Sequence, residues 1–208
     1  MITQLPAFLG VAALVIVAPG PDTALTIRNT LRGGRRSGLL TGVGVVGGQT
    51  VWAIATAAGV AALLHASEPA FVALKVIGAG YLAFLGIQAL LAAFRGGRPA
   101  LYGRNGARVP PGRAFRQGLI SNVTNPKMAA FFTSLLPQFA GGDHASFAAL
   151  LLLALIFSSM TLVWLTGYVF VVAKVGDVFR RDRIRRALEG VTGIALVGLG
   201  LRLATERR

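Results

Sequence analysis

Apolar residues in this chain come in long blocks, separated by short clusters rich in arginine, glycine and proline. Six blocks stand out, at about residues 5–27, 39–64, 69–94, 115–139, 145–173 and 187–204. At 1.5 Å rise per residue, about 20 helical residues cross a hydrocarbon layer about 30 Å thick. The pattern therefore predicts an all-α integral membrane protein with six transmembrane helices. The second and fifth blocks carry no charge, and the third carries only Lys75. The sixth is short and has Glu189 and Arg202 near its ends, where such side chains reach toward water.

Two blocks are interrupted. The first contains Pro19-Gly20-Pro21-Asp22, and the fourth contains Asn125-Pro126-Lys127. Proline lacks a backbone donor and clashes with the carbonyl four residues earlier, so Pro19, Pro21 and Pro126 should free the carbonyls of Val15, Val17 and Asn122. A bilayer has no water to satisfy loose backbone groups, and irregular backbone at that depth needs protein or a wet cavity around it. A solute pathway is the reading that follows.

Composition agrees with a membrane setting: 54% of residues are hydrophobic, 13% are charged and the mean hydropathy is +0.68. Soluble domains carry about 25% charge. The chain has 208 residues, enough for the six spans and too few for a further soluble domain. The absence of cysteine excludes disulfides, thiol ligands and thiol nucleophiles. Neither a Gly-x-Ser-x-Gly elbow nor a His-Glu-x-x-His pair is present, and His65 and His144 fall in predicted connectors, so neither an enzyme nor a metal site is expected. No cofactor is expected either.

The net charge of +14 would suit a nucleic-acid binder, but its distribution argues for topology. Arg28, Arg32, Arg35 and Arg36 follow the first block; Arg95 to Arg116 follow the third; Lys174 to Arg186 follow the fifth; the connectors between these are free of Lys and Arg. The positive-inside rule places those three basic loops in the cytoplasm and both termini outside. The first basic residue comes after the first block, so that block does not read as a cleavable signal.

A shift of about 106 residues lays Pro19 on Asn125 and the second block on the fifth. Three spans per half is an odd number, so the halves, about residues 1–97 and 114–208 around a basic loop at 95–113, would be inverted repeats in one transporter domain. Transporters of that design bind substrate near the midplane between broken helices.

The candidate site is Pro19, Gly20, Pro21, Asp22, Asn122, Asn125, Pro126 and Lys127. Freed carbonyls suit an ammonium and a half-helix N-terminus suits a carboxylate, which are the two groups of an amino-acid zwitterion. Asp22 reads as a group that pairs with the substrate ammonium or carries the coupled proton and, compatibly with either, as the cap of a half-helix beginning near Thr23. Lys127 either meets the substrate carboxylate or forms an internal ion pair with Asp22. Asn122, one turn before the break, reads as a ligand contact or a helix-helix bond. Gln49 and Thr50 are further candidates for lining, and Gly38, Gly42, Gly44 and Gly48 allow close helix approach within the subunit or across a dimer. Trp52, Tyr81 and Trp164 read as packing or interface residues.

Pro19-Gly20-Pro21, the run from Gly34 to Gly38, Gly78-Ala79-Gly80-Tyr81-Leu82 ahead of Gly86, and Asn125-Pro126-Lys127 occur in an order and spacing that resemble the lysine exporter (LysE/RhtB) family. The resemblance implies a bacterial inner-membrane exporter of amino acids or close derivatives, driven by the proton motive force, with the bilayer, a proton and a second copy of the chain as partners. It does not identify the substrate. A passive channel for small zwitterionic or cationic solutes, built from the same carbonyls, is the alternative, and a non-transporting scaffold is a third.

Overall fold

The structure is a computed structural model; it describes residues 5–18, 20–66, 109–141 and 146–175, with isolated helical positions among residues 76–91 and 194–201. Pro19, Lys75, Tyr81, His144 and the loop at 95–108 lie outside the described residues, as do most of the third and sixth predicted spans. Among the described residues every regular element is helical.

Helix α1 (Leu5–Val17) ends just before the first interruption, and Pro21 opens α2 (Pro21–Ala66) at a position where a missing N–H costs nothing. The block pattern implies a loop over residues 28–38; they are helical, and the chain instead reverses sharply at Gly34 (φ 75°, ψ −177°). Asn29 Nδ2 donates to Thr41 Oγ1 at 3.0 Å, although twelve residues of straight helix would hold them about 18 Å apart. Residues 21–33 and 35–66 therefore form an antiparallel hairpin. Only glycine reaches such backbone angles without strain.

After an extended Pro110, α3 (Pro111–Val123) begins earlier than the apolar block implied, so Arg113 and Arg116 stand on helix instead of in a loop. Asn125 is extended (φ −78°, ψ 109°), and its side-chain oxygen accepts the Lys127 N–H at 3.0 Å to cap α4 (Pro126–Ala130). A wider π turn, Phe131–Leu135, leads into α5 (Leu136–Phe139). Pro137 explains the widening, since its ring would crowd the carbonyl of Thr133 in a regular helix. Gly141, at φ 110°, follows, and then α6 (Phe147–Val175), whose start is held by Ser146 Oγ accepting the Ala149 N–H at 3.2 Å.

The long α2 is the hub, packed most extensively on α3 and α6. Its glycines make those contacts inside the subunit: Gly44 lies on the Phe115 carbonyl, Gly48 on Asn122, and Gly42 on Leu165, while Gly118 of α3 lies on the Thr41 carbonyl. The core centres on Phe8, Phe131, Phe132 and Phe157, with Phe131 stacked on Phe157 at 4.2 Å. The outer surface is oily. Val163 is 74% exposed, Leu155 67% and Ile120 59%, as expected where lipid replaces water. Residues 35–59, beyond the reversal at Gly34, and Phe147–Lys174 are long and apolar enough to cross a bilayer. Ser37 Oγ donates to the Val109 carbonyl at 2.8 Å and Arg35 lies 5.6 Å over the Phe170 ring, so the arginines around Gly34, the start of α3 and the end of α6 with Lys174 share one end of the molecule.

Candidate functional site

The two interruptions meet. Lys127 reaches across from α4, and its ammonium donates to the carbonyls of Val15 and Ala18, each at 3.0 Å. Val15 is the acceptor that the proline rule singled out; the other freed oxygen in use is that of Ala18 and not of Val17. Gly20 leaves the space: a Cβ there would sit 3.2 Å from the ammonium nitrogen.

Asp22 faces the opposite way. One carboxylate oxygen accepts from Ser121 Oγ at 2.6 Å; the other accepts from Asn122 Nδ2 at 2.8 Å and Asn125 Nδ2 at 2.9 Å. All three donors flank the second interruption. This corrects two readings drawn from the sequence. The half-helix starts at Pro21, and the Asp22 carboxylate goes to the other half of the chain instead of capping its own helix. Asp22 and Lys127 are held by neutral dipoles of the opposite break instead of by each other. A charge-assisted hydrogen bond contributes about 1.5–3 kcal/mol, and these five join segments about 100 residues apart.

The Asn122 carbonyl, also forecast to be free, accepts from the Asn125 N–H at 3.0 Å and from Trp52 Nε1 at 3.3 Å. Asn122 thus reads as a bridge between helices, seated on Gly48 where a side chain would collide with it. Pro21 and Pro126 are exposed and act through the backbone alone.

Beside this junction is a small, partly open cavity of about 20 Å³, room for about one water molecule, lined by Asp22, Thr23, Gln49, Lys127, Thr161 and Trp164 among apolar side chains from α1, α2, α4 and α6. Gln49 and Thr50 separate at this wall. Gln49 is buried on it with Nε2 donating to Thr161 Oγ1 at 3.1 Å, whereas Thr50 is exposed and bonds its own helix at the Val46 carbonyl. Sequence reasoning missed Ser121 and Thr161. The signal that could have found them was polarity: each is a hydroxyl in an apolar block, one or two turns from a polar partner on the same face. Farther along α2 and α3, Gln117 Oε1 accepts from Arg28 at 3.3 Å and Asn29 at 3.0 Å, a second, half-buried polar cluster.

Residues 13–207 match the model of the LysE type translocator family. The chain belongs to that family. LysE proteins are transporters and not enzymes, and this one is a membrane protein. Relatives span it nearly end to end: YrhP, an uncharacterized membrane protein of Bacillus subtilis, is 28% identical over 96% of this chain and 97% of its own length. An uncharacterized membrane protein of Pseudomonas aeruginosa is 32% identical over 95% and 92%. A leucine efflux protein of Salmonella typhimurium is 29% identical over 93% and 91%. No solved structure matches.

Proposed function

We propose that this LysE protein exports amino acids or close derivatives across a bacterial inner membrane, by proton antiport with alternating access to the cavity at the paired interruptions. The observation that carries the reading is the reciprocal clasp, in which Lys127 is held by the Val15 and Ala18 carbonyls and Asp22 by Ser121, Asn122 and Asn125. Those carbonyls and that ammonium complement the ends of a zwitterion, and an arriving substrate carboxylate competes for Lys127. The leucine efflux relatives support an amino-acid substrate.

Asp22 links the proton to movement. Protonation on the oxygen that faces Ser121 reverses that bond, since a hydroxyl also accepts, and it removes the charge that strengthens all three, which loosens the clasp. The breaks then part, and the cavity changes the side from which it is reached.

Two inverted three-helix repeats in one domain, 1–208, fit this cycle. In each described half an interruption, at Gly20 or Asn125, precedes a proline-led half-helix, which is followed by a positive-φ glycine, Gly34 or Gly141. The shared basic end suits the cytoplasm, with both termini outside. The homodimer rests on family resemblance alone.

Transport into inside-out vesicles tests the proposal. Saturable leucine uptake that collapses on adding an uncoupler is the expected result. Uptake that rises linearly with concentration and ignores the uncoupler would replace the exporter with a passive channel, and no uptake of any amino acid would leave a scaffold.

A further inference from the structure

Two buried polar atoms on residues that line the cavity have no hydrogen-bond partner: the Gln49 carboxamide oxygen and the Trp164 indole nitrogen. The direction of the Gln49 amide is fixed by its neighbours. Thr161 gives its single hydroxyl hydrogen to the Phe157 carbonyl at 2.9 Å, so toward Gln49 it only accepts, and it accepts from Nε2. That leaves Oε1 as an unmet acceptor on a residue 1% exposed. The Trp164 N–H is a donor only. Native interiors rarely abandon such atoms; the cavity as it stands has room for a water molecule between them, and a substrate that enters once the interruptions part would supply both complements in its place.

The remaining wall is apolar: Val15, Ile16, Val45, Met128, Phe157 and Leu165. Asp22 is the one carboxylate among the lining residues, and three donors already occupy it. A cationic side chain would leave water for this wall without a counter-charge, whereas an uncharged apolar one would meet matching surface.

We infer, on the footing of the exporter reading, that Gln49 Oε1 accepts from the substrate ammonium, that the Trp164 N–H joins Lys127 on its carboxylate, and that the side chain carried is apolar and uncharged. Gln49 and Trp164 are then the specificity contacts of the α2 and α6 walls.

The test is competition against leucine uptake in inside-out vesicles, with α-hydroxyisocaproate, which lacks the ammonium, leucinamide, which lacks the carboxylate, and lysine. In the wild type each competes about tenfold less well than leucine or worse. Gln49→Met, which removes the acceptor at similar volume, raises the half-saturation concentration for leucine about tenfold and leaves α-hydroxyisocaproate unchanged, so that discrimination narrows by the same factor. Gln49→Glu keeps an acceptor and restores it. Trp164→Phe narrows discrimination against leucinamide in the same way, and what remains belongs to Lys127.

A purely structural role would lower maximal rate or membrane abundance for all ligands alike, and that result overturns the inference, as does lysine competing as well as leucine. Should Gln49→Met fail to insert, Trp164→Phe decides the matter. Wild-type vesicles without saturable uptake would refute the exporter reading itself; saturable uptake with unaltered discrimination in the variants would refute only this inference.

Discussion

Asp22 shows how much one side chain can be asked to hold. It is 9% exposed and carries three hydrogen bonds to the other half of the chain. Asp22→Asn keeps the shape but removes both the charge that strengthens three hydrogen bonds and the group that takes up the proton, and should reduce uncoupler-sensitive uptake at least about tenfold, given about 1.5–3 kcal/mol per charged hydrogen bond. Vesicle uptake normalised to protein abundance checks this. Ser121→Ala removes one donor of three and should lower thermal stability in detergent by about 1–2 kcal/mol while leaving coupling in place. An uncoupled Ser121→Ala would instead mean that the two asparagines do not suffice to hold Asp22 for its proton. The proline rule made Val15 legible in advance, because it depends only on positions four apart. Ser121 was marked in the sequence only as a hydroxyl in an apolar block; its partner Asp22 lies 99 positions away, and no local spacing encodes that pairing.

Among the elements, the four apolar blocks that fall within the described residues located helices, while the helix ends escaped them. Residues 28–33 remain helical although Arg28 and Arg32 look like loop composition, because arginine is a good helix former and the Arg28 head finds a partner in Gln117 of α3. The reversal is set by backbone, at Gly34. Gly34→Ala should destabilise the protein by about 1–3 kcal/mol by forcing a side chain into a region that essentially only glycine occupies. Gly59→Ala is the control, since a Cβ there meets nothing within 4 Å, and it should leave the melting temperature unchanged or slightly raised. Thermal unfolding in detergent separates the two. The π turn ahead of Pro137 was invisible to block reading, which registers hydrophobicity and not the room a proline ring needs.

For the molecule as a whole, the oily exterior and the single basic end follow from the charge pattern of the sequence, and the hairpin and clasp do not. The proposed orientation is open to a direct measurement, because a chain with no cysteine accepts one reporter thiol at a time. Arg35→Cys should react with a membrane-impermeant maleimide in inside-out vesicles and be shielded in intact cells; labelling in intact cells would invert the topology. The clasp also has a consequence for biogenesis. Its partners are separated by 99 to 112 residues, so the leading half leaves the ribosome and enters the bilayer with Asp22 and the Val15 and Ala18 carbonyls still unmatched. Nascent chains stalled before residue 121 should accordingly be substrates for membrane quality-control proteases, and full-length chains should escape them once α4 has docked.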